Sequence, residues 1–310
     1  MRKLISILSP TFNEEGNIDE LYRQIKEVTS KLIKYDFEHI FIDNSSEDTT
    51  VIKIKNIIKN DKKVKLIVNS RNFGHFNSPF HGLMQTSGEA TIQIASDLQT
   101  SPSVIPKLIS EWEKGFKTVL LVKSNSNESA VLFKMRELYY KLLAKISTIS
   151  PVVNATGEGL YDKLVLNELK KINDPYPFFR GLLAEIGFPI ATVEYNQEKR
   201  MEGRSKNNFY TLYDAAFLGI TNHSSLPLRL MSICGFILSV ISFFLATIFF
   251  LAKLIYWETY DMGIAPILIG LFFFGAIQMF FLGLLGEYVN AIHIRTRKMP
   301  LVTESERVNF

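Results

Sequence analysis

Two stretches near the carboxyl end, Leu230–Leu251 and Ile264–Leu285, contain no charged side chain. Each covers about 22 residues, and about 20 suffice for a helix to cross the hydrocarbon core of a bilayer. Within lipid every backbone N–H and C=O must be bonded inside the segment, so an isolated pair of spans must be helical. Reading them as core helices instead requires protein to enclose both runs. The flanks give a direction. Arg229 precedes the first run, Arg295, Arg297 and Lys298 follow the second, and the connection Tyr256-Trp257-Glu258-Thr259-Tyr260-Asp261 is acidic and aromatic. The excess of positive charge places both termini in the cytoplasm and the short connection outside, with Lys253 alone on the outer side. Trp257 and the tyrosines suit the headgroup belt. The chain opens Met1-Arg2-Lys3 and its first apolar stretch is broken at Pro10, too early for a signal peptide. One cysteine, Cys234, excludes an internal disulfide or cysteine metal site, and a net charge of +4 is too small to suggest nucleic acid as a partner.

The preceding residues alternate between two periodicities. Apolar runs at Leu4–Leu8, His39–Ile42, Val64–Val68, Thr91–Ala95, Thr118–Val122 and Ile190–Tyr195 read as strands. Between them Ile18, Leu21, Ile25, Val28 and Leu32 recur at helical spacing, as do Val51, Ile54 and Ile58. Further helices are expected near 78–86, 103–113 and 130–147. Near-continuous apolar strands separated by amphipathic helices predict a parallel sheet covered on both faces. After Lys123 the pattern loosens into an irregular glycine-rich piece before the strand at 190–195. Phe209, Leu212, Tyr213, Ala216 and Phe217 give residues 207–220 an apolar face, which before a membrane span suits a helix lying in the interface and equally a core helix.

Each of the first four strands runs into a polar loop: Pro10-Thr11-Phe12-Asn13-Glu14, Asp43-Asn44-Ser45-Ser46-Glu47-Asp48, Ser70-Arg71-Asn72-Phe73-Gly74 and Ser96-Asp97-Leu98-Gln99. Ser46 and Asp48, taken singly, could cap the next helix. Four such loops at the carboxyl edge of a parallel sheet mark the usual place for a ligand. Farther on, Arg200-Met201-Glu202-Gly203-Arg204-Ser205-Lys206 supplies a basic loop before the membrane segment.

These four motifs, in this order, resemble those of family 2 inverting glycosyltransferases of GT-A fold. The basic loop, the hairpin, Gly286-Glu287-Tyr288-Val289 and Arg297-Lys298-Met299-Pro300 narrow the resemblance to polyprenyl-phosphate glycosyltransferases, the dolichyl-phosphate mannosyltransferase and bactoprenol glucosyltransferase group. The resemblance implies a nucleotide-sugar site containing Pro10, Phe12, Glu14, Asp43, Ser46, Arg71, Asn72, Ser96 and Asp97. It implies Mg²⁺ or Mn²⁺ as cofactor, with Asp97 and Gln99 as ligands, and an acceptor-phosphate site drawn from Lys123, Arg136, Arg200, Ser205 and Lys206. Asp97, Arg200 and Lys206 would carry catalysis. The chain departs from the family pattern at two places. Ala95 stands where the first acid of an Asp-x-Asp pair is usual, and Thr100 where an acid usually follows the Leu-Gln pair. Aligned on Leu160 and Asp162, the family's acid near the acceptor falls on Gly157, with Glu158 one residue along. A phosphate monoester is already mostly dianionic at pH 7, so this nucleophile needs cations more than a base.

The expected organisation is therefore a GT-A domain over 1–206, an amphipathic juxtamembrane helix over 207–225, two spans at about 230–252 and 264–286 within 226–290, and a cytoplasmic basic tail over 291–310. The expected activity is inverting transfer of a sugar, UDP-linked rather than GDP-linked, to polyprenyl phosphate at the cytoplasmic face, which is that of the inner membrane in a bacterium. Two alternatives are the same fold acting on a polysaccharide, and a catalytically weak protein that binds sugar nucleotide or lipid phosphate for a partner. Gly270, Gly275 and Ala276 in the second span offer small residues for helix packing between copies.

Overall fold

The computed structural model describes residues 2–125, 152, 155–172, 177, 179–197, 226–255, 264–296 and 300–310. Arg136, Arg200, Ser205, Lys206, the expected helices at 130–147 and 207–220, the connection at 256–261, and Arg297 and Lys298 lie outside the described residues. Among the described residues eight strands form one mixed sheet in the order β7-β5-β6-β4-β1-β2-β3-β8. They are β1 (Lys3–Thr11), β2 (Tyr35–Asp43), β3 (Val64–Asn69), β4 (Ala90–Gln93), β5 (Thr118–Asn125), β6 (Ala155–Asp162), β7 (Ile190–Asn196) and β8 (Glu304–Val308). The four strands β4-β1-β2-β3 run parallel, as do β5 and β7, whereas β6 is antiparallel to both of its neighbours and β8 to β3.

The apolar strands are double-sided, which is why they lack a polar–apolar alternation. Ile5, Ile7 and Phe41 enter one layer with α1 (Ile18–Ser30), α2 (Thr50–Asn60) and α4 (Ile105–Glu113). Leu8, Ile40, Ile42 and Ile67 enter the other with α3 (Gly74–Met84), α5 (Lys163–Ile172) and α6 (Phe179–Ile186). Ile18, Leu21 and Ile54 are fully buried, and each such side chain removed from water is worth roughly 1.5–3 kcal/mol. The expected helices and strands through residue 122 are present, although β4 stops at Gln93 and frees Ile94 and Ala95 for the following turn.

Two expectations are revised. The glycine-rich piece contains β6, whose Gly157 and Gly159 adopt φ of 88° and 150°. At Gly159 a Cβ would stand 2.1 Å from the Val119 carbonyl oxygen, so only glycine lets β6 lie this close to β5. The tail at 291–310 is not a simple basic extension either, since residues 304–308 form the outer strand of the sheet. Its charged, exposed residues are what an edge strand tolerates. Between β7 and β8 the chain forms α7 (Leu226–Ile255) and α8 (Ile264–Thr296), both long and apolar enough to cross a membrane. The second continues past the expected boundary at 286.

Candidate active site

Because β4, β1, β2 and β3 are parallel neighbours, their carboxyl ends share one edge, and the four polar loops meet there. Among the described residues four non-glycine positions take positive φ, and three lie in these loops: Asn13 (55°), Ser45 (67°) and Leu98 (56°). Asparagine tolerates that region; a buried leucine does so only where its surroundings impose it.

The first two loops are interlocked. The Asn13 N–H donates to Ser46 Oγ (2.8 Å), and the Glu47 N–H donates back to Asn13 Oδ1 (2.9 Å). The Ser46 N–H and hydroxyl donate to the two Asp43 oxygens at 2.8 and 2.5 Å. Asp43 is fully buried, and burial pushes its pKa up against the hydrogen bonds from Ser46. Its carboxylate is thus an organiser of the β2 loop. The Glu14 carbonyl accepts from the N–H groups of Asn17 (2.9 Å) and Ile18 (3.2 Å) at the start of α1, and its carboxylate accepts from Asn17 Nδ2 at 2.6 Å.

A ladder of amides joins the second loop to the third. Asn44 Oδ1 accepts from the Phe73 N–H (2.9 Å) and from Asn69 Nδ2 (3.1 Å), while Asn44 Nδ2 donates to Asn72 Oδ1 at 2.9 Å. Asn72 Oδ1 also accepts from the Gly74 N–H, closing the turn. Arg71 is held above this ladder with its guanidinium 4.0 Å from the Phe73 ring centroid. It is exposed, with one N–H on the Asn72 carbonyl at 3.0 Å. A planar cation displayed in this way can stack on, or pair with, a nucleotide.

The fourth loop carries Asp97, half-buried, with one carboxylate oxygen accepting from the Gln99 N–H at 3.2 Å. Ser96 is buried and its hydroxyl donates to the Pro10 carbonyl at 2.9 Å, tying this loop to the first. From β6, Glu158 reaches across. Its carboxylate accepts from the Ala95 N–H (2.7 Å) and the Thr100 hydroxyl (2.6 Å). Burial pushes the Glu158 pKa up, the Thr100 and Ala95 bonds oppose this, the Asp97 charge adds to it and the Lys123 charge subtracts. Tyr195, on β7, is pushed up to about 12, by burial first and the Glu158 charge second. Lys123 therefore belongs electrostatically to the Glu158 neighbourhood.

The structure brings Pro10, Phe12, Glu14, Asp43, Ser46, Arg71, Asn72, Ser96, Asp97 and Gln99 to one edge. Arg136, Arg200, Ser205 and Lys206 lie outside the described residues. Asn44, Thr100 and Glu158 join the site as partners that sequence reasoning did not assign. Glu158 was visible only as an acid next to the position where one was expected; its partners lie 58 and 63 residues away. Among the described residues no three His, Cys, Asp or Glu side chains cluster as a metal site. One carboxylate beside a glutamine suits a hard cation that takes most of its ligands from phosphate and water, since Mg²⁺ is commonly held that way.

The family model described as "Glycosyl transferase family 2" matches residues 6–179. The chain is 33% identical over 308 residues to a bactoprenol glucosyl transferase of Shigella phage SfII, covering 98% of this chain and 99% of the relative. It is 33% identical over 297 residues to the prophage bactoprenol glucosyl transferase homolog of Escherichia coli K12, covering 96% of each. Among solved structures, a Pyrobaculum calidifontis mannosyltransferase in complex with GDP-Man and Mn²⁺ shares 13% identity over 74% of this chain and 65% of that one, with a TM-score of 0.48. The family match spans the four loops, and the two relatives match almost the whole chain; the protein belongs to glycosyl transferase family 2.

Proposed function

We propose that this glycosyltransferase moves a sugar from a UDP-sugar to polyprenyl phosphate at the cytoplasmic membrane face, with inversion at the sugar C1. The observation that carries the reading is that similarity to the bactoprenol glucosyl transferases extends through the apolar hairpin and the tail as well as the catalytic domain. A polysaccharide acceptor gives no reason for the hairpin to be matched as well. The return of residues 304–308 to the sheet supports a hairpin that leaves and re-enters on one side of the bilayer.

In this reading the loops after β1, β2 and β3 hold the nucleotide, with Arg71 stacked along it and Asn72 closing the turn beneath. Asp97 and Gln99 would hold Mg²⁺ or Mn²⁺ at the diphosphate, and the ion would offset the negative charge of the departing nucleoside diphosphate. A lipid phosphate oxygen attacks C1 from the face opposite the diphosphate. As the new C1–O bond forms, the C1–O bond to the diphosphate breaks and its electron pair leaves with UDP. The incoming phosphate is already a dianion, so no side chain has to take a proton from it. Arg200, Ser205 and Lys206, with Arg136 and Lys123, are the groups proposed to bring that dianion to the sugar despite the diphosphate charge.

The test is incubation of the purified full-length protein with polyprenyl phosphate, divalent cation and a panel of nucleotide sugars, read by mass spectrometry of the lipid. A lipid-linked monosaccharide from one donor is the expected product. Binding of nucleotide with no lipid product from any donor rejects the reading and favours a binding protein, for which the single carboxylate at 97 is the specific argument.

A further inference from the structure

We propose that Glu158 is a positioning residue: it clasps both ends of the Asp97 turn and so fixes the carboxylate that would hold the divalent cation at the donor diphosphate. The inference rests on the functional reading of that turn. It starts from the placement of two hydrogen bonds. One Glu158 oxygen accepts from the N–H of Ala95, immediately before the turn, and the other from the hydroxyl of Thr100, immediately after it. Ser96, Asp97, Leu98 and Gln99 are thereby held between two fixed points. Inside the clasp Leu98 keeps its left-handed backbone with its side chain buried, an arrangement that needs external support. Ser96 supplies a third tether, to Pro10.

The backbone of β6 is shaped to deliver this side chain. Glu158 stands between Gly157 and Gly159, both at positive φ. Gly159 is pressed against the Val119 carbonyl, and Gln93 pairs with Gly159 as the last register position of β4. Glu158 therefore emerges one step beyond the end of β4, level with the start of the turn. Tyr161 adds a bond from its hydroxyl to the Gly157 carbonyl at 2.6 Å, which fixes the strand on the other side. A buried carboxylate near a second carboxylate is costly. Here the two hydrogen bonds and the Lys123 charge reduce that cost without cancelling it, so the Glu158 pKa stays raised. With both oxygens engaged by the turn, Glu158 acts through Asp97 rather than on the ligand.

The experiment uses the full-length protein and three variants, Glu158→Ala, Glu158→Gln and Thr100→Val. Calorimetry measures UDP and GDP binding with and without Mn²⁺, and no acceptor is present. Glutamine can accept from Ala95 and donate to the Thr100 oxygen, so it preserves the clasp without the charge. The expected result is that Mn²⁺-supported nucleotide binding weakens about tenfold in Glu158→Ala and severalfold in Thr100→Val, as for one or two lost hydrogen bonds. Glu158→Gln restores it to within about twofold, and metal-free nucleotide binding is the same throughout, each loss being below one hydrogen bond. Thr100→Val removes only a hydroxyl and keeps the test alive if Glu158→Ala does not fold. The proposal is overturned if Mn²⁺ does not strengthen wild-type binding, if Thr100→Val binds as the wild type does, or if Glu158→Gln falls as far as Glu158→Ala. Failure of the wild type to glycosylate polyprenyl phosphate, with these binding results intact, would instead reject the functional reading.

Discussion

His81 Nε2 lies 2.7 Å from Glu304 Oε1, joining α3 to the start of β8 across 223 positions of sequence. Glu304 also accepts from Arg307 Nε at 2.8 Å, and this bond is the largest of the influences that hold its pKa below the usual 4.5. Beside it the Ser70 N–H donates to the Thr303 carbonyl at 2.9 Å, so the chain returning from α8 is tied to the root of the Arg71 loop. Replacing Glu304 by Ala should change global stability by less than about 1 kcal/mol, as for a partly exposed ion pair. It should nonetheless speed amide exchange at Ser70 and Leu66. An acid with a depressed folded pKa stabilises fully above its unfolded value, so the protection conferred by Glu304 should be lost as pH falls below 4.5. Hydrogen exchange read by mass spectrometry between pH 6 and pH 3.5, compared with the variant, measures it; equal protection in both at pH 6 would refute the coupling.

Asp97→Asn should abolish sugar transfer, because Asp97 is the carboxylate that the fourth loop offers to a divalent ion. Excess chelator should do the same to the wild-type protein. Full turnover in chelator, measured with the purified protein and a competent donor, would exclude the metal-supported mechanism. Ala95→Asp has a less simple outcome than restoring an acid pair suggests. Its N–H already serves Glu158, and its new carboxylate would stand beside two others, so a shift of the metal titration to lower concentration should come with a lower melting temperature.

Asn44 links the β2 and β3 loops through both ends of one amide. Truncation to Ala leaves the Phe73 N–H, the Asn69 amide and the Asn72 oxygen short of a partner, at a cost of about 1–3 kcal/mol for the buried share. The measurable outcome is a loss of UDP affinity without loss of acceptor affinity, by calorimetry beside steady-state kinetics. Unchanged UDP binding would show that the ladder only supports the fold.

His39 sits buried in β2, its Nε2 2.9 Å from Ser9 Oγ and its ring against Phe41. Burial pushes its pKa down from 6.5 to about 3. The unfolded chain binds a proton that the folded chain refuses, so stability should fall with pH between 6.5 and about 3, by at most about 1.4 kcal/mol per unit from this group. His39→Gln keeps a partner for Ser9 and cannot titrate in this range. Urea melts at pH 7 and pH 5 should show a smaller pH dependence in the variant, and an identical slope would remove His39 as the cause.

Topology can be probed apart from catalysis. In a Cys234→Ser background, a cysteine at Glu258 should react with an impermeant thiol reagent on intact cells, and one at Thr303 should not. The reverse labelling would put the nucleotide site on the wrong side of the membrane for its donor.

The double-sided strands and the amphipathic helices of the first 122 residues were legible because burial on both faces leaves a periodicity that local sequence records. Ile5 and Ile7 go one way and Leu8 the other, and all must be apolar. The edge where the polar loops gather was legible too, since a strand ending in Asp43 or preceding Asp97 announces itself. β6 was not, because Gly157 and Gly159 are there for a close backbone approach that only the partner strand defines. β8 was not, because Glu304, Glu306 and Arg307 look like a solvated tail until β3 is seen to need a neighbour. The Glu158 clasp is wholly non-local: an acid read from sequence is a charge, and only the fold showed which turn it holds.

The hairpin is inserted between the two outermost strands of the sheet, β7 on one side and β8 on the other. Cutting the chain after residue 197 to remove the two apolar helices would therefore strip away a strand along with them. Leu66, Ile67 and Val68 would then present bare hydrogen-bonding groups, a ready template for another chain. Such a fragment should self-associate even though every loop of its nucleotide site is retained. A version without those helices that behaves has to splice residues 300–310 back onto the family 2 domain, which makes the far end of this chain part of that domain's sheet rather than an appendage of the helices.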